Sequence, residues 1–171
     1  SLLDADLPDL SAVPPESYLS KRILDPKILE EEHRRMAALR ASTDRALVAT
    51  PPFLLPGGYG DPYVWLMLML EQPEPCRRII LEQADVMAER ARQWLDAHAA
   101  CVDVVCLQMF DLGFQDREAI RPDVFGDIMA PGWKIVNDMV HRYPGVKTWI
   151  HSCGSVRHLI PHFIRAGVDC L

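Results

Sequence analysis

Val146-Lys147-Thr148-Trp149-Ile150-His151-Ser152-Cys153-Gly154-Ser155 carries the architecture of this chain. Val146 to Ile150 is a short run of branched and aromatic residues, the composition of a β-strand. Gly154 permits a tight turn after it. Ser155 predicts the N-cap of a helix over Val156 to Arg165. Strand, turn and helix in that order are the repeating step of a parallel α/β fold, and they leave His151 and Cys153 at the strand's carboxyl end. On an extended chain, residues i and i+2 point the same way, so an imidazole and a thiol leave together. The pair reads in two ways. It is two ligands of one zinc ion, or a hydrogen-bonded histidine beside a small buried cysteine, and H-x-C alone does not separate them.

Working outward, Val102 to Phe110 is the clearest further strand, followed by Asp111-Leu112-Gly113-Phe114-Gln115. A carboxylate at the carboxyl end of a buried strand lies where barrel enzymes carry working residues. Asp111 reads equally as a loop-capping carboxylate that accepts from nearby backbone N–H groups. Ala46 to Thr50 predicts a short buried parallel strand, stopped by Pro51-Pro52. The Pro- and Gly-rich loop after it, Phe53 to Gly60, offers Phe53 and Tyr59 as walls of a substrate pocket, with simple packing aromatics as the alternative. Val168 to Leu171 begins a fourth strand. Between these runs lie helices at Lys27 to Arg40, Tyr63 to Leu70, Pro75 to His98 and Pro122 to about Tyr143. Asp25-Pro26 and Asp61-Pro62 pair a cap with a proline at the first helical position. Pro131-Gly132 predicts a kink or break. Residues 1–24 read as an extended segment.

Strands separated by crossover-length helices imply an α/β fold with a parallel sheet. A complete (β/α)8 barrel takes about 250 residues. Four strands in 171 residues therefore predict part of a TIM barrel, about half, as a single incomplete domain over 1–171. Open barrel edges would favour self-association.

The composition, 49% hydrophobic and 25% charged, is that of a globular chain. A net charge of -6 without a Lys/Arg cluster argues against nucleic acid as a partner. The apolar run Val64 to Leu70 is too short to span a membrane. Five cysteines without a C-x-x-C pair, and no signal peptide, predict a reduced, cytoplasmic setting. No glycine-rich phosphate loop or nucleophile elbow is present. His158 and His162 share a helix face and are expected to face solvent; His33, His98 and His141 receive no role.

His151-Ser152-Cys153-Gly154-Ser155-Val156, then Leu159-Ile160-Pro161, then Ala166-Gly167-Val168-Asp169, resembles the corresponding segments of the uroporphyrinogen-decarboxylase-like superfamily. The likeness is closest to its cobalamin-dependent methyltransferases. Trp65 to Pro75 resembles the superfamily's L-M-x-L-x-x-x-P-E segment, and Ile128 to Lys134 a helix with proline at the matching place. Asp111 to Gln115 is similar to D-D-L-G-x-Q, with Phe110 in place of the first acidic residue, so a role needing two adjacent carboxylates is lost or moved. The resemblance implies that His151 and Cys153 are Zn2+ ligands, with a further cysteine as the third. Cys170 is the sole downstream cysteine in this sequence, in a strand where the superfamily does not usually place that ligand. The resemblance also implies catalytic roles for Asp111 and Gln115, a methyl-corrinoid on a partner protein, and a small-molecule thiol as acceptor. The alternatives are a cofactor-free uroporphyrinogen decarboxylase, for which the arginine-bearing N-terminal motif is missing, and a truncated, non-catalytic member.

Overall fold

The structure, a computed structural model, describes residues 7–109 and 111–171. The Phe110 substitution thus lies outside the described residues. Three parallel strands, β1 (Val48–Ala49), β2 (Val104–Met109) and β3 (Lys147–His151), form one sheet in the order β1-β2-β3. Each successive strand adds on the same side of the last. That is how a barrel winds, and it lacks the reversal of strand order found in doubly wound sheets. The architecture is part of a (β/α)8 barrel.

The helices are α1 (Pro26–Ser42), α2 (Pro62–Glu71), α3 (Pro73–His98), α4 (Pro122–Val124), α5 (Ala130–Val140) and α6 (Ile160–Arg165). Both Asp-Pro starts form as expected: Asp25 accepts from Lys27 N–H, and Asp61 from Tyr63 and Val64 N–H. Among the described residues, no helix is long and apolar enough to cross a membrane.

β2 is covered on both faces, since Val105, Cys106 and Leu107 are all buried, as expected inside a parallel sheet. The core lies mainly between α3 and α5. Trp133 of α5 meets Phe125 edge-on at 5.0 Å and stacks on Phe163 of α6 at 5.7 Å, while its indole N–H donates to Pro56 O at 3.0 Å.

Several expectations are corrected. The strand expected over Ala46 to Thr50 is two residues long, and Val48 is 59% exposed because it pairs on one side alone. The run Val168 to Leu171 joins the free edge of β3 in parallel, as expected, through the bridge of Cys170 with Trp149. Residues 7–24 are tethered rather than simply extended. Two short 3-10 turns, Leu10–Ala12 and Pro15–Ser17, interrupt them, and Leu10 is buried. Gln72 holds this segment at both Leu10 N–H and Pro8 O.

The helix expected to kink or break at Pro131 does not break: it continues through a π-helical turn, Phe125–Met129, into α5. Proline cannot donate to the carbonyl four residues back, and Arg77 Nε donates to that carbonyl, Asp127 O, at 3.1 Å. The wide turn and the arginine together absorb the missing bond.

Candidate metal centre

Parallel pairing sets the site. Met109 is registered against His151. Two residues further along each strand come Asp111 and Cys153, so the two chain ends run side by side past the sheet. Cys153 N–H donates to Asp111 Oδ1 at 2.7 Å, and Leu112 N–H donates to Ser152 Oγ at 2.9 Å. The turns beyond are locked together as well. Ser155 N–H donates to Phe114 O at 2.7 Å, and Gly154, with φ of 76°, lies against the Gly113 backbone. A Cβ added at Gly154 would fall 2.4 Å from Gly113 O, a contact only glycine permits.

This engagement corrects the helix start expected at Ser155. Ser155 is held to the neighbouring loop, five residues before α6, which begins at Ile160 with no side-chain cap. The preceding turn is held instead by Glu118, whose Oε1 accepts from His158 N–H and meets His158 Nδ1, each at 2.9 Å.

The result is a cluster of three donors. Asp111, His151 and Cys153 each bring one ligand atom within 4.8 Å of the others. Cys153 Sγ lies 3.3 Å from His151 Nε2, which lies 3.6 Å from Asp111 Oδ1. Tetrahedral zinc with bonds of about 2.0–2.3 Å would separate such atoms by roughly 3.4–3.6 Å. Two of the three separations are thus those a zinc ion would need, and three such ligands would leave a fourth position open, as in catalytic zinc sites. The hydrogen bond and the charge of Asp111 push the Cys153 thiol up from its ordinary value. That is unsuited to a free nucleophile, and a bound cation inverts it.

Asp111 also forms part of the wall of a cavity of about 190 Å³. The remaining wall is apolar, with Trp65, Leu66 and Met69 from α2 and Leu112 and Met129 opposite.

The chain matches the uroporphyrinogen decarboxylase (URO-D) family over residues 51–171. It belongs to that family. No curated protein and no solved structure matches it.

Of the residues singled out in this URO-D chain, His151, Cys153 and Asp111 come together. Gln115 is exposed in the loop beyond Asp111 and is not one of the three converging donors. Phe53 takes the packing alternative and not the pocket wall: it is 1% exposed and packs on Trp94 at 6.1 Å, because the chain after β1 turns Phe53 and Leu55 into the core. Tyr59 packs edge-on against Tyr18 at 6.3 Å and does not line the cavity. Cys170 sits opposite Trp149, not beside His151, and stays outside the donor cluster. The expectation of solvent-facing histidines holds for His158, but His162 is half-buried against the Phe125 ring.

The sequence reading did not place Asp111 beside His151 and Cys153. A partial signal was present: D-L-G and H-x-C each follow a strand, and strands consecutive in order usually lie side by side, but their register was not readable.

Proposed function

We propose that this chain belongs to a zinc-dependent methyltransferase that moves a methyl group between a corrinoid on a partner protein and a small-molecule thiol. The convergence of His151, Cys153 and Asp111 at zinc-like separations carries this reading. When bound, zinc supplies a Lewis acid that lowers the pKa of a thiol. His151 Nε2 and Cys153 Sγ would hold it. Asp111 would add a carboxylate oxygen, while its bond to Cys153 N–H fixes the spacing of the two strand ends. Because the three donors are exposed, the proton released as the thiol ionises would pass to solvent. A methyl-corrinoid, when bound, would supply the methyl group and keep the electron pair of the bond it gives up, while the thiolate's pair would form S–CH3.

The family description itself favours a second reading, decarboxylation of uroporphyrinogen. A substrate rich in carboxylates calls for cations, and among the described residues lining the cavity the charged one is Asp111. Porphyrinogen binding by metal-free chain would favour this second reading.

Zinc content after dialysis against a weak chelator tests the proposal. Near-equimolar zinc is expected in the parent chain, with loss in Cys153→Ser and a large drop in Asp111→Asn at unchanged circular dichroism. A parent chain that retains less than about a tenth of an equivalent would overturn it.

A further inference from the structure

Two side chains of α3 tie together parts of the chain that lie far apart in sequence. Gln83, 8% exposed, gives its whole amide to backbone groups. Its Nε2 donates to Gly58 O at 2.7 Å and to Tyr18 O at 3.3 Å, and its Oε1 accepts from Gly58 N–H at 3.2 Å. Arg90, about two turns further along the helix, repeats the pattern. Its Nε donates to Pro52 O at 2.7 Å and its Nη1 to Lys21 O at 2.8 Å. Each residue therefore holds both the segment before α1 and the loop after β1. Tyr18 and Tyr59, edge to face, join the same two segments directly.

The loop held in this way is a wall of the cavity. Gly57 and Trp65 line the cavity together with Asp111. A Cβ at Gly58 would fall 2.2 Å from the Trp65 ring, so the Gly58 backbone lies directly on the indole. The Trp65 indole N–H is buried and has no acceptor among the described residues, so the ring is held by packing alone. An amide suits position 83 because it carries donor and acceptor side by side. A carboxylate there would set oxygen against Gly58 O and Tyr18 O, and an apolar side chain would leave both without this partner.

We infer that Gln83 and Arg90 are positioning residues for the cavity: they make residues 7–24 a strap whose docking on α3 sets the Gly57–Trp65 wall. The strap itself neither lines the cavity nor joins the donor cluster. The inference rests on neither zinc nor methyl transfer, so it stands or falls apart from that reading.

Hydrogen exchange of the full chain, followed residue by residue by NMR, tests it. The Trp65 indole N–H is the main reporter, since burial alone protects it. Gln83→Met should speed exchange at Gly58 N–H and at the Trp65 indole at least tenfold. A second variant acts from a distance. Arg78→Met combined with Gln93→Ala removes the bonds to Leu10 O, Arg22 O and Leu24 N–H, on both sides of Tyr18, and neither residue lines the cavity. It should speed exchange at Gly58 and at the Trp65 indole at least threefold, with β2 and β3 amides at parent rates. Faster exchange confined to the strap would overturn the inference by reducing Gln83 to a local brace. Equal acceleration in β2 and β3 would overturn it by making the effect one of global stability. Should Gln83→Met not fold, Gln83→Glu decides. Its carboxylate lacks the donor, so the Trp65 indole should be poorly protected at neutral pH and regain protection as falling pH returns a proton to that oxygen. Protection independent of pH, after correction for intrinsic exchange, would overturn the inference.

Discussion

Trp133 and Asp111 stand at opposite extremes of this molecule. Trp133 is wholly buried, ringed by Phe125 and Phe163, and its indole N–H reaches Pro56 O. Asp111 is exposed, as are His151 and Cys153, and it accepts from the backbone N–H of Cys153 at the next strand end. The helical side is held by apolar area removed from water, which is non-directional and large. The donor cluster is held by strand register and backbone hydrogen bonds, which are directional and individually modest. Stability and site geometry should therefore respond to different substitutions.

The largest effect is expected at Trp133. Trp133→Ala should cost about 3–5 kcal/mol, a large share of the roughly 5–15 kcal/mol available to a typical domain. Urea unfolding would read it as a marked fall in the midpoint. Zinc bound per folded molecule should stay near the parent value. Loss of both together would break the comparison by showing that the donors depend on the aromatic core.

Gly154 supplies the converse. Gly154→Ala puts a Cβ against Gly113 O at a backbone φ of 76°, which costs about 1–3 kcal/mol. The adjacent Cys153 must shift with it. Zinc affinity should fall by roughly 10–100-fold, as for groups that orient metal ligands. Competition with a chromogenic chelator measures it. An unchanged affinity would mean that the strand register alone places Cys153.

How much of this was legible in the sequence follows the same division. Period and punctuation gave the strands β2 and β3 and the helix starts at Pro26 and Pro62, because caps and prolines act locally. They failed where a distant residue intervenes. Arg77 carries the chain past Pro131, Glu118 takes the capping role expected of Ser155, and Gln72 tethers the segment before α1. Phe53 looked like a pocket wall because it follows a strand in a loop, but only the fold shows that the loop returns to the core. His98, which the sequence left unassigned, is buried and stacked on Trp94 at 4.6 Å. At the site, the H-x-C spacing was readable from one strand. The third donor needed two strands and their register, which no local pattern encodes.

Asp169 sharpens the comparison at its weakest point, a carboxylate that neither the core nor the cluster owns. It belongs to the A-G-V-D segment, and its Oδ2 accepts from Thr148 N–H at 2.8 Å and meets His141 Nε2 at 2.8 Å; Lys147 Nζ reaches Oδ1 at 3.3 Å. Burial alone would raise its pKa, but the Thr148 N–H, His141 and Lys147 together hold the carboxyl below the usual aspartate value. A depressed folded-state pKa means stability that is fully present above the unfolded value of about 3.9 and is lost as pH falls through the folded value. Asp169→Asn should therefore cost about 1–2 kcal/mol at neutral pH, the scale of a hydrogen bond to a charged group. That difference should hold from pH 7 to about pH 5 and shrink below about pH 4. Unfolding midpoints of both chains across that range measure it. Zinc affinity at pH 7 should not move, since Asp169 ties the far end of β3, at Lys147 and Thr148, and the donors leave from the end at His151. A variant whose deficit persisted undiminished at pH 3 would show that Asp169 acts through shape and not through its charge.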